Sequence, residues 1–166
     1  DAVGADVTKV GVGDRVLMTF RSCGVCDRCL AGDAPYCRTM PMLNYTGRRT
    51  DGTSALSNES GVVSSNFFGQ SSFAMHAITY ERNVVKVTDK TLPLEIMGPL
   101  GCGVQTGAGA VMRSLAAREN STILITGGGS VGLSAVMGAR IQKCSSIILV
   151  EPVERRRALG KELGAT

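Results

Sequence analysis

The chain has 166 residues, of which 43% are hydrophobic and 19% charged, with a formal net charge of +4. That balance describes a folded globular protein, one ordinary domain or pieces of two, and excludes wholesale disorder. No apolar run approaches the roughly 18 residues that a membrane helix needs, and the aromatics (three Tyr, four Phe, no Trp) are not interleaved with a basic cluster as a nucleic-acid surface requires. The opening residues, Asp1 to Lys9, lack the basic-then-apolar pattern of a secretory signal, so a cytoplasmic location is expected. There is no initiator methionine, and the chain stops at Gly164-Ala165-Thr166, which reads as a cut from something longer.

In chain order, Val16–Phe20 reads as the first clear strand, and residues 44–66, rich in Thr, Ser, Asn and Gly, read as loop. Val84–Val87 is a second strand. The period changes near Leu92-Pro93, which marks a domain boundary there and divides the chain into residues 1–92 and 93–166. Beyond it, Cys102–Ala117 reads as a helix rich in small residues, Ile123–Ile125 as a buried strand and Val131–Ile141 as a helix. Ile147–Val150 is another buried strand and Val153–Leu163 a closing helix. Buried strands alternating with helices predict a parallel sheet covered on both faces, hence an α/β fold.

Four of the six cysteines, Cys23, Cys26, Cys29 and Cys37, follow the spacing Cys-x2-Cys-x2-Cys-x7-Cys. Thiolates two residues apart converge on one ion, and zinc prefers four soft ligands in a tetrahedron. A site filled by four thiolates has no open position, so its zinc is structural. The ferredoxin-type iron–sulfur pattern continues with a three-residue gap, Cys and Pro; here the gap is seven and Arg38 follows Cys37. The second motif is Gly127-Gly128-Gly129-Ser130-Val131-Gly132, a G-x-G-x-x-G turn that directly follows a buried strand and opens a helix. In that setting Gly127 allows the tight turn, Gly129 lets the backbone reach a pyrophosphate, and Gly132 permits close packing of helix on strand. Glu151 ends the next strand, where a carboxylate accepts hydrogen bonds from the adenosine ribose and repels the extra phosphate of NADP. NAD is therefore expected, although Arg155, Arg156 and Arg157 could grip a phosphate if their helix turned them inward.

With these motifs in this order, the chain resembles the zinc-containing medium-chain alcohol dehydrogenases, and within them the aryl (benzyl) alcohol dehydrogenases. Gly13-Asp14-Arg15-Val16 is similar to the strand entry of that family's GroES-like domain. Phe67–Ala74 and Glu81–Lys86 are similar to later segments, and Gly98–Ala110 is closest to the aryl branch. The resemblance implies the C-terminal part of a GroES-like, β-rich catalytic domain followed by the first βαβ unit of a Rossmann domain. By the same resemblance, Cys102 is the last of three protein ligands to a catalytic zinc. Thr106, Val131 and the turn residues Gly127, Gly129, Ser130 and Gly132 border the cofactor with Glu151 and Arg156, and Phe67 and Phe68 line an aromatic substrate pocket. Cys144 is a small buried hydrophobe, and His76, the only histidine, falls on a strand without a metal role.

The implied activity is hydride transfer from a primary alcohol, aromatic by that pocket, to NAD, giving the aldehyde. Zinc and NAD are the implied cofactors, and a homodimer or homotetramer the implied assembly. One cysteine cannot hold a catalytic zinc, so these 166 residues alone are expected to be inactive. The rival reading is a zinc-stapled interaction module without catalysis.

Overall fold

A computed structural model describes residues 1–70 and 74–166. The chain forms two compact units, Asp1–Leu94 and Glu95–Thr166.

In the first unit, strand β1 (Val16–Met18) pairs antiparallel with the later strand β4 (Val84–Lys86), Leu17 opposite Val85. Lys86 reaches back to Asp14 at 2.6 Å, just before β1. Between these strands lie two short helices, α1 (Asp27–Leu30) and α2 (Met40–Asn44). Asn44 is fully buried and serves as a bracket, accepting the Arg21 N–H at 2.9 Å and donating to the carbonyls of Arg21 and Met40. The stretch expected to be loop contains a hairpin, β2 (Leu56–Asn58) and β3 (Gly61–Val63), with Leu56 opposite Val63. Asn58 accepts the Ser60 N–H at 2.9 Å, and Gly61 takes φ +117° to close the turn. All six strand residues are exposed, so no burial alternates along them and hydrophobic periodicity had nothing to register. His76 departs from expectation too. It lies in irregular backbone rather than on a strand, exposed, with Nε2 3.4 Å from Asp1 Oδ2. Ser71, Ser72 and Phe73, part of the Phe67–Ala74 segment, lie outside the described residues.

In the second unit, β5 (Thr122–Thr126) and β6 (Ser146–Val150) pair in parallel, joined by helix α4 (Ser130–Ile141). Helix α3 (Gly103–Gly109) precedes them and runs into a π-helical turn, Ala110–Ser114. The expected helix through Ala117 stops earlier, because Ala116 turns to φ +47°. Helix α5 (Glu154–Leu163) follows β6. Ile123, Ile125 and Ile147 form one sheet face and are buried with Val111, Ala135, Val136 and Ala139. The opposite face is open: Leu124 is 62% exposed and Ile148 43%. The expectation of a sheet covered on both faces is thus met on one only, since the sheet's helices contribute their buried residues to the same core. Among the described residues no helix is long and apolar enough to cross a membrane.

Candidate metal loop and cofactor turn

The four-cysteine loop is drawn together by its backbone. Gly24 takes φ +81°, and the Arg82 guanidinium occupies the space where a Cβ would fall. Helix α1 carries Cys29, Gly32 reverses the chain at φ +85°, and a 3-10 turn with Pro35 near its start delivers Cys37. The four sulfurs lie within 4.8 Å of one another, with Cys23 and Cys29 3.9 Å apart. Ligands at about 2.3 Å around a tetrahedral zinc stand roughly 3.8 Å apart, so the cluster is sized for that ion. Amides already point at the sulfurs: Val25 and Cys26 donate to Cys23 Sγ at 3.5 and 3.3 Å, and Cys23 N–H donates to Cys37 Sγ at 3.3 Å.

These contacts split the thiols. The Val25 and Cys26 amides bring Cys23 down to about 6. Burial pushes Cys29 up to about 11. At Cys37, which is 5% exposed, burial raises the thiol, but bonds from Thr39 and the Cys23 amide outweigh it and the net direction is downward. Four sulfurs this close cannot all be thiolates without a cation among them. A soft divalent ion fits the donor set. Just outside the ligands, Arg38 forks onto Asp27, Nε to Oδ1 and Nη2 to Oδ2, both at 2.6 Å. This holds the Asp27 carboxyl at about 2. In the sequence Asp27 is merely the neighbour of Cys26, and Arg38 is only the residue that stands after Cys37 where the ferredoxin pattern has Pro. A shallow open depression of about 550 Å³ lies beside them, lined by Arg28, Asp33, Tyr36 and Arg38.

The glycine turn links β5 to α4. Gly127 takes φ +90° and donates its N–H to Val150 O at 2.8 Å. A Cβ on Gly132 would collide with the Gly127 carbonyl, so only glycine lets the helix come this close. A Cβ on Gly129 would meet nothing within 4 Å. Gly129 also caps α4 without a side-chain bond to the first amides, which leaves the helix N-terminus, with its positive dipole end, free to receive an anion. Ser130 and Val131 are exposed at this first turn, while Ser134 donates to the Ser130 carbonyl at 2.5 Å.

Glu151 closes the turn from below. It is 7% exposed, with Oε1 accepting the Val153 N–H at 2.8 Å and Oε2 the Gly128 N–H at 2.5 Å. Those two amides hold its carboxyl below the usual glutamate range in spite of burial, with Arg156 and Arg157 assisting. Arg156 Nη1 stands 4.0 Å from Oε2 and its side chain is half exposed. Arg157 turns instead to the carbonyls of Glu151 and Pro152, at 2.8 and 2.7 Å.

Cys102 is exposed at the start of α3, its N–H donating to Pro99 O at 3.1 Å, and Thr106 is exposed one turn later. Helix α3 lies directly on α4. A Cβ on Gly107 would strike the Val131 carbonyl, and one on Gly103 would come within 3.0 Å of Ser130 Oγ. The Cys102 end of α3 is thereby set beside the glycine turn. Among the described residues, Cys102 belongs to no group of three or more metal-ligating side chains.

Phe67 and Phe68 sit in strained backbone, Asn66 at φ +60° and Phe68 at φ +55°. Their rings join those of Phe20 and Tyr45, with centroids 4.4 Å apart for Phe67–Phe68, 4.8 Å for Phe20–Phe68 and 5.6 Å for Tyr45–Phe68. Phe67 remains half exposed. Tyr45 and Phe20 could not be linked to this cluster by spacing, because the chain brings them in from distant positions.

Residues 1–89 match the family described as the alcohol dehydrogenase GroES-like domain. The chain is 48% identical over 167 residues to a geraniol dehydrogenase of Castellaniella defragrans, covering 100% of this chain and 44% of the relative. Among solved structures it resembles an alcohol dehydrogenase zinc-binding domain protein from Burkholderia ambifaria, at TM-score 0.92 and 49% identity over 99% of this chain and 45% of that one. It also resembles the benzyl alcohol dehydrogenase of Acinetobacter calcoaceticus, at TM-score 0.92 and 44% identity over 100% of this chain and 44% of that one. The chain spans about half the length of the curated relatives it matches.

Proposed function

We propose, for a chain that belongs to the alcohol dehydrogenase GroES-like domain family, that it forms the zinc-loop and cofactor-entry portion of an NAD-dependent enzyme oxidising a primary aromatic alcohol to its aldehyde. Bound zinc would polarise the alcohol oxygen and NAD would accept the hydride. Cys23, Cys26, Cys29 and Cys37 hold a structural zinc, and Cys102 offers one thiolate to a catalytic one. Gly127 and Gly132 keep the turn tight, while the amides at Gly129 and Ser130 receive the pyrophosphate. Glu151 accepts the ribose hydroxyls and repels a 2′-phosphate, with Arg156 at the rim. Thr106 and Val131 border the nicotinamide, and Phe67 and Phe68 border the substrate ring. We assign these roles to a catalytic portion, residues 1–92, and a nucleotide-binding portion, residues 93–166, of a cytoplasmic homodimer or homotetramer.

The observation that carries this reading is the glycine turn tied to the Glu151 carboxylate, with open space in front of Gly129. The rival reading, an interaction module without catalysis, is disfavoured by relatives named as dehydrogenases. The test is NADH formation from benzyl alcohol by the whole protein that carries the chain. NAD should be preferred to NADP, and the 166-residue chain alone should give no turnover. Equal use of both cofactors would remove the role given to Glu151. Absence of any alcohol-dependent NADH would remove the reading itself.

A further inference from the structure

We propose that the Asp27–Arg38 pair is a latch that keeps the four-cysteine loop closed on its metal and sets how fast that metal leaves. The inference rests on the zinc reading above. The pair joins the residue after the second ligand to the residue after the fourth, across 11 positions, through two parallel bonds of 2.6 Å. The loop has little else to hold it. Helix α1 has only four residues and none is buried, and of the four ligands only Cys37 is buried. The two arms are also tied by a backbone bond, Asp33 N–H to Arg28 O at 2.8 Å, and by the Cys23 N–H on Cys37 Sγ, whose acceptor is itself a ligand.

Metal loss requires the thiolates to let go one after another. While the Cys26 and Cys37 arms stay tied, a released sulfur remains within reach and rebinds before the next one leaves. The fork matters more than the charge, because Asp27 and Arg38 together add no net charge beside the sulfurs. A planar guanidinium gripping a carboxylate with two bonds fixes orientation in a way that a single ammonium contact cannot. An exposed pair of this geometry, bonded to its partner and to no ligand sulfur, holds the two arms by up to about fivefold.

The experiment loads the 166-residue chain with zinc and follows its transfer to an excess of chromogenic chelator. Asp27→Asn and Arg38→Met should each speed release about fivefold, and the double variant should be no faster than either single one. Arg38→Lys, which keeps the charge but loses the fork, should behave like Arg38→Met. Cobalt substituted for zinc should give the same thiolate-to-metal absorption in every variant, because the ligand set is intact. Thermal midpoints of the metal-free chains should coincide, because both side chains are exposed. Release within twofold of the parent for both singles, multiplicative effects in the double, or full rescue by Arg38→Lys would overturn the latch. A parent chain that takes up no zinc would overturn the zinc reading as well, and is distinguished by elemental analysis before any variant is made. If Arg38→Met fails to fold, Asp27→Glu with Arg38→Lys completes the same cycle.

Discussion

The carboxylate of Glu151 accepts the backbone N–H of Gly128 at 2.5 Å, which ties the end of β6 to the turn that leaves β5. Its other oxygen takes the Val153 N–H, so one side chain satisfies amides on both sides of the turn. Both bonds favour the charged form, which is why the carboxyl lies below its ordinary value of 4.5. A group with a depressed folded value contributes stability that is fully present above its unfolded value and is lost as pH falls through the folded one. Glu151→Gln should therefore lower the thermal midpoint by a constant amount at neutral pH. The gap between parent and variant should narrow below about pH 4.5 as Glu151 itself becomes protonated. Midpoints measured across pH check this, and a gap that widens with acid would contradict it.

Gly129 and Gly132 belong to one motif yet face opposite constraints. A Cβ at Gly132 meets the Gly127 carbonyl, whereas a Cβ at Gly129 meets open space. Gly132→Ala should destabilise the Glu95–Thr166 unit by about 1–3 kcal/mol, the usual cost of overpacking, as read by denaturant titration. Gly129→Ala should leave that stability nearly unchanged, because its φ of −81° suits any residue, and should weaken only cofactor binding. Equal losses in both variants would mean that the turn is read wrongly.

Which parts of this were legible in the sequence follows from whether local order along the chain carried the signal. The cysteine cluster and the glycine turn were legible because their geometry depends on fixed short spacings, and β5 and β6 because each is a short continuous run of apolar, largely β-branched residues with the helical stretch of α4 between them. The β2–β3 hairpin was not, because it buries none of its strand residues. Nor was the aromatic cluster, where Phe20 and Tyr45 reach Phe68 only through the tertiary fold. The Asp27–Arg38 fork was hidden for a different reason. Charged residues beside cysteines are ordinary in a solvated loop, and only the folded geometry separates a bidentate pair from two bystanders.

Metal removal should act on one unit. The four sulfurs all belong to Asp1–Leu94, and the loop they hold has almost no core of its own. Structural zinc commonly contributes on the order of 10 kcal/mol to the segment that binds it. Stripping the metal, or Cys37→Ser, should therefore accelerate amide exchange across residues 23–44 by several orders of magnitude. Exchange in β5, α4 and β6 should stay the same. Hydrogen exchange resolved by residue is the measurement, and uniform acceleration through both units would contradict the assignment.

Ile147 and Ile148 are adjacent but point to opposite faces of the two-stranded sheet. Ile147 is 2% exposed and lies in the core with Val136 and Ala139, whereas Ile148 is 43% exposed on the bare face with Leu124. Ile147→Ala should cost about 2–5 kcal/mol, the transfer and cavity terms together. Ile148→Thr should change stability by less than about 0.5 kcal/mol, since little around it is packed. A loss at Ile148 comparable to that at Ile147 would show that the second face is covered after all.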